Sequence, residues 1–295
     1  MPNAHHAGIQ PWESTLAALL MLVAFLYMRG WVRIRRRETD PVGGWRATSL
    51  LAGLFAIWLA VASPISALDH EMLTFHMVQH LLLMTVAPPL IWLCTPAKPL
   101  MMGLPRRFAE SMAKVFRLTA VRRAGAAIAH PAVCWLAASA VLIGWHIPFL
   151  FALGMRSGLL HGLEEASFLL AGLLFWWPVI HPWPSATNTS SWAILLYLFL
   201  ATLPCDILSG FLVFCDRVVY PVYSSAPQSL ALSSLEDQEC AGALMWTCVT
   251  VVYLIAGWIF AWRLLSPTKM REARVTTSGQ QPAIAIRETA DFVGS

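Results

Sequence analysis

The sequence predicts an all-α polytopic membrane protein, a bundle of about seven transmembrane helices, and two observations carry that prediction. Of the 295 residues, 58% are hydrophobic and only 12% are charged, with a mean hydropathy of +0.62. A soluble domain carries roughly 25% charged residues. So few charges cannot cover a water-facing surface, which excludes a soluble enzyme, a disordered chain and a nucleic-acid partner. Uncharged runs close to the roughly 20 residues that span a bilayer also recur along the whole chain.

The first run, 14–28, extends through Trp31 and is followed by Arg33, Arg35, Arg36 and Arg37. A signal peptide has its basic residues ahead of the apolar core, so this run is expected to stay as a helix. Runs 47–68 and 72–97 make the second and third spans, and 124–155 makes the fourth with room for a loop. The stretch 166–205 has no Asp, Glu, Lys or Arg and is twice too long for one helix. His181-Pro182-Trp183-Pro184 and the small polar residues after it are turn formers. They divide it into spans near 159–180 and 191–214, and 240–262 is the seventh.

Basic residues set the expected orientation. The loop after span 1 holds Arg29 to Arg46, and the loop after span 3 holds Lys98, Arg106, Arg107, Lys114, Arg117, Arg122 and Arg123. The segment after span 7 holds Arg263, Lys269, Arg271, Arg274 and Arg287, whereas the alternate loops hold little beyond Arg156 and Arg217. The N-terminus is therefore expected outside and the C-terminus in the cytoplasm. Residues 1–265 are expected to form one helical bundle, and 266–295 a disordered cytoplasmic tail. The basic residues between 105 and 127 fit an amphipathic helix lying on anionic lipid.

With this orientation, the ionisable side chains collect near one level, the outer one. His76 and His80 are four apart and share a helix face, the spacing at which two imidazoles reach one metal ion. His161 and Glu164 share a face on the fifth span, with Glu165 beside them. His146 stands before Ile147-Pro148 at the outer end of the fourth span, and Asp206 and Asp237 lie at the same level. Ionisable groups inside a membrane are costly and usually functional. Imidazole suits zinc, copper, iron and nickel, and Met or Cys shifts the choice toward reduced copper. Met72, Met77 and Met245 fall near that level. A b-type haem held by two of the same His is the rival, though the crowd of carboxylates fits a small cation better. A retinal-binding helix is excluded, because Lys98, Lys114 and Lys269 all lie in loops or the tail.

Six cysteines occur without a CxxC pair. Cys215 and Cys240 flank one outer loop and are a candidate disulfide, and Cys205, beside Pro204 and Asp206, is a candidate copper ligand. Trp176, Trp177 and Trp183 read as an interfacial belt. Pro88-Pro89 reads as a kink, and His130 and His181 as capping or interfacial residues.

The run His76-Met77-Val78-Gln79-His80-Leu81-Leu82-Leu83, continuing to Ala87-Pro88-Pro89-Leu90, resembles the signature of the CtaG-type integral-membrane cytochrome c oxidase assembly factors. Trp145-His146-Ile147-Pro148, Leu174-Phe175-Trp176-Trp177-Pro178-Val179, Tyr220-Pro221-Val222-Tyr223 and Asp237-Gln238-Glu239-Cys240-Ala241-Gly242 resemble its further motifs, in order. Ala241 replaces the first Gly of a Gly pair, and Glu165 stands where the pattern has a second His. The resemblance implies a non-enzymatic assembly factor in a bacterial plasma (inner) membrane. It implies copper delivery to cytochrome c oxidase subunits, with a periplasmic copper carrier as a further partner. His76, His80, His146 and Asp237 match its motifs, and His161, Glu164 and Glu165 complete the expected metal set.

Overall fold

The computed structural model describes residues 11–36, 43–63, 66–180, 191–225 and 232–265. His5, His6, His181, Trp183 and the expected tail 266–295 lie outside the described residues. Twelve α-helices follow in order among the described residues: α1 (Pro11–Arg35), α2 (Gly44–Val61), α3 (Leu73–Leu81), α4 (Ala87–Leu93), α5 (Ala97–Gly103), α6 (Arg106–Arg117), α7 (Thr119–Ile128), α8 (Pro131–Trp145), α9 (Pro148–Arg156), α10 (Gly158–Ile180), α11 (Ser191–Phe214) and α12 (Ser234–Leu265). Short 3-10 turns cover Ser66–His70 and Pro221–Ser225, and a π-helical segment, Leu82–Val86, joins α3 to α4. There is no strand among the described residues.

Among the described residues, six helices are long and apolar enough to cross a bilayer, or seven if α7 and α8, bent by 61° at His130, are one span. The chain is thus an all-helical, multi-pass membrane protein. Phe25, Phe55, Leu136, Leu170, Phe199, Ile207 and Trp258 stand exposed on these helices, which is the surface a bilayer would cover.

The fourth run differs most from its sequence reading. It is broken into α7, α8 and α9 by His130-Pro131 and Ile147-Pro148, because the residue before a proline is driven out of the helical region. His130 and Ile147 both have extended backbone, and the His130 ring accepts from the Ala132 N–H as a cap. The last helix also starts earlier than expected, at Ser234, so Glu236, Asp237 and Gln238 lie within its first turns.

Pro88-Pro89 explains the π segment. The Met84 carbonyl would accept from residue 88 in an α-helix or residue 89 in a π-helix, and neither proline has an N–H. Trp176 of α10 supplies the missing donor, its Nε1 lying 3.2 Å from the Met84 oxygen. Trp176 is therefore a buried core residue, 3% exposed, and not part of an interfacial belt. Trp45, Trp192, Trp258 and Trp262 are exposed tryptophans near span ends.

Within a bilayer, apolar packing has no water to escape from, so helices associate through close approach and interhelical hydrogen bonds. Gln79 Nε2 donates to the Ala60 carbonyl at 2.9 Å, Ser49 Oγ to Leu90 at 2.7 Å, and Trp92 Nε1 to Leu173 at 2.8 Å. Ala60 and Leu90 lie in last turns, where carbonyls have no partner within the helix. Close approach is clearest where α1 crosses α5. A Cβ on Gly30 would collide with the Pro99 carbonyl, and one on Gly103 with the Leu26 carbonyl. Gly103→Ala is expected to push the two helices apart and to lower stability in detergent by about 1–3 kcal/mol, read from the thermal unfolding midpoint.

Two packed clusters result. One gathers Leu73, Met77, Phe151, Phe175, Trp176, Tyr197 and Tyr253, and the other Tyr27, Leu50, Ile57, Leu83, Ala87 and Phe168. The continuous α3–π–α4 rod and α10 contribute to both, and the polar centre lies where these two meet.

Candidate metal centre

Side chains four apart on α3 turn His76 and His80 to the same side, and α10 presents Glu164 to both. Oε1 of Glu164 lies 3.4 Å from Nε2 of His76 and 3.4 Å from Nε2 of His80. His161, one turn earlier on α10, brings Nδ1 to 3.6 Å from Glu164 Oε2. His76 and Glu164 are wholly buried, and His80 is 5% exposed. The short helix α9 closes over them: Phe151 packs its ring 5.0 Å from that of His76. Gly154 leaves the room for this, since a Cβ there would come to 2.9 Å from Glu164 Oε2.

The buried polar atoms are under-satisfied. Both nitrogens of His76 and His80, Nδ1 of His161 and both oxygens of Glu164 have no hydrogen-bond partner among the described residues. Leaving so many buried polar atoms unpaired is costly. Among the described residues, two groups of ligand atoms lie mutually within 4.8 Å, namely His76, His80 and Glu164, and Asp69, His76 and His161. Ligands about 2.1 Å from a tetrahedral ion sit about 3.4 Å apart, which matches the Glu164–imidazole spacing. The donor set fits a small imidazole-binding cation.

Asp69 is the residue that sequence reasoning missed. It lies in the 3-10 turn before α3 and accepts from His161 Nε2 at 2.9 Å, leaving Nδ1 of that ring toward Glu164. A carboxylate behind a histidine in this way orients the ring and raises its basicity. Burial alone would raise the Asp69 carboxyl, but the His161 hydrogen bond, with His70 and His76 nearby, holds it below the usual carboxylate range. Tyr223 in turn donates to the Asp69 carbonyl at 2.9 Å, and Tyr220 to the His146 carbonyl at 3.0 Å. The Tyr-Pro-Val-Tyr run was the visible signal for these two supports. Asp69-His70 was the faint one for the carboxylate.

The remaining expected residues divide. Glu165 sits at the edge, its Oε1 3.7 Å from His161 Nε2. His146 caps the end of α8, donating from Nδ1 to the Leu142 carbonyl at 2.7 Å, with its ring 6.1 Å from that of His80. It is one ring removed from the Glu164 group, and its Nε2 is buried and without a partner among the described residues.

Asp237 is placed elsewhere. Its oxygens accept from the Leu73 N–H at 2.7 Å, the Thr74 N–H at 3.1 Å and the Thr74 hydroxyl at 2.6 Å. It caps the start of α3 from across the bundle, because the first N–H groups of a helix have no internal acceptor. Gln238 likewise ties the Leu212 and Arg217 carbonyls and the Val219 N–H. Asp206 belongs to neither group of converging ligands. All six cysteines are free, so Cys215 and Cys240 form no bridge.

A family model described as cytochrome c oxidase caa3 assembly factor matches residues 25–267, which contain the whole centre. No curated protein and no solved structure matches the chain.

Proposed function

The chain belongs to the cytochrome c oxidase caa3 assembly factor family, and from that premise we propose that it holds copper at the buried His–Glu centre as cargo for the oxidase. The observation that carries this reading is the convergence of three imidazoles, His76, His80 and His161, on one buried carboxylate, Glu164. Neutral imidazole nitrogens bind the ion, Glu164 offsets its charge, and Asp69 fixes the His161 ring. Glu165 sits where a further anionic ligand would draw the ion in. Copper here is carried and not transformed, so no turnover is involved.

The protein would sit in a bacterial plasma membrane with its N-terminus outside, as the basic loops require. Copper then arrives from the periplasmic side, from a carrier or as the free ion, and leaves to an oxidase subunit. The helices α6 and α7 would lie on the anionic inner leaflet, with exposed Phe108, Met112, Val115 and Phe116 buried in lipid. The haem reading has less support. The cavity bordering His80 and His146 is about 40 Å³, far below the roughly 300 Å³ at which small-molecule sites begin.

The test is the copper content and absorbance of detergent-purified protein, wild type beside His76→Ala/His80→Ala. Near-stoichiometric copper in the wild type, lost in the variant at unchanged helical circular dichroism, is the expected result. A Soret band would move the assignment to haem. Equal copper in both proteins, or none in either, would overturn the centre as the copper site.

A further inference from the structure

The cavity that borders the centre is chemically unlike it. It continues from His80 along α3 and the π segment, lined by α8, α10, α11 and α12. Its lining residues include the sulfur-bearing Met77, Met84, Cys205 and Met245 together with His80 and His146. Three of the four sulfur residues are at most 4% exposed, and Met84 is half-buried. Among the described residues, no Asp or Glu lines the cavity. Both nitrogens of His80 and Nε2 of His146 are buried and lack hydrogen-bond partners among the described residues. His80 Nε2 faces Glu164 at 3.4 Å, which leaves His80 Nδ1 and His146 Nε2 as the ring nitrogens free to serve the cavity. Its volume, about 40 Å³, exceeds the roughly 15 Å³ that admits one water-sized particle.

Thiol and thioether donors select soft ions, above all reduced copper. The absence of a carboxylate points the same way. A divalent ion among neutral donors in a low-dielectric interior would go largely uncompensated, whereas a monovalent one is neutralised by a single thiolate. We infer that this cavity is a second, soft-donor station that takes monovalent copper, with His80 shared between it and the Glu164 centre. The inference rests on the copper reading above and adds to it the oxidation state and a direction of movement, inward from Glu164 toward Cys205.

The test uses the full chain in detergent, with Cys215→Ser/Cys240→Ser/Cys248→Ser as background to remove the thiols that are not buried. Cu(I) is titrated anaerobically against a chromogenic chelator, and the bound ion is examined by X-ray absorption. Sulfur in the copper shell is expected, and Cys205→Ala/Met245→Leu is expected to remove it and to weaken Cu(I) binding at least tenfold. Met245→Leu is also made alone, since it keeps the apolar volume and leaves the test standing if the Cys205 variant loses its fold. A shell of nitrogen and oxygen only, or sulfur unchanged in the variants, overturns the soft station and leaves the His–Glu centre intact. No Cu(I) bound by the background protein overturns the soft station alone, because the His–Glu centre is judged separately by the total copper content of the purified protein.

Discussion

Glu164→Gln is expected to weaken copper binding by about 100-fold or more while leaving the fold in place. Glu164 is the one carboxylate that His76, His80 and His161 all face, at 3.4–3.6 Å, and it is fully buried. Loss even of groups that only orient metal ligands costs roughly 10–100-fold in affinity, and an anionic ligand in direct contact should cost more. Stability should move the other way or not at all. The amide has nearly the same shape, removes a buried charge, and offers donors to imidazole nitrogens that lack them. The measurement is copper affinity by chelator competition beside the thermal midpoint of the copper-free protein. Unchanged affinity would show that the carboxylate is a structural partner of the histidines.

Asp237→Ala is expected to do the reverse, lowering stability by about 3 kcal/mol with less than a tenfold effect on copper affinity. The carboxylate accepts two backbone N–H groups and a hydroxyl at the start of α3. Hydrogen bonds to a charged group contribute about 1.5–3 kcal/mol each, and losing a helix cap costs about 0.5–2 kcal/mol. The donors left behind at Leu73, 2% exposed, are too buried for water to replace the acceptor fully. Asp237→Asn, which keeps one acceptor, should lose about half as much. Thermal unfolding in detergent and copper titration on the same samples separate the two quantities. A large loss of affinity at unchanged stability would place Asp237 among the ligands after all.

These two carboxylates show how far sequence reasoning reached. Both stand near the outer level of the bundle; Glu164 groups with the histidines by depth and by the face it shares with His161, and Asp237 by depth and by its motif. Depth is a one-dimensional coordinate, read from residue count along each span. It cannot say which way a side chain turns around the helix axis, and that rotation sends Glu164 to the imidazoles and Asp237 to the top of α3. The error over Trp176 has the same origin. A tryptophan near a span end usually marks the interface, but this one turns inward because a prolyl pair on another helix leaves the Met84 carbonyl without a donor.

By itself the sequence determined the helical, membrane-spanning class, because apolar runs and scarce charges leave a chain no other way to satisfy its backbone in lipid. It also determined the His76–His80 and His161–Glu164 faces, since helical periodicity places residues three and four apart on one side. Only the tertiary structure decided that these two faces meet, that Asp69 stands behind His161, and that α9 seals the group. Those relations join residues about 75 to 92 positions apart in the chain. They depend on how helices rotate and cross, which is set by close contacts such as Gly30 with Gly103 and by single hydrogen bonds such as Trp176 to Met84. No local pattern records such contacts, because each half of the pair is ordinary until the other is beside it.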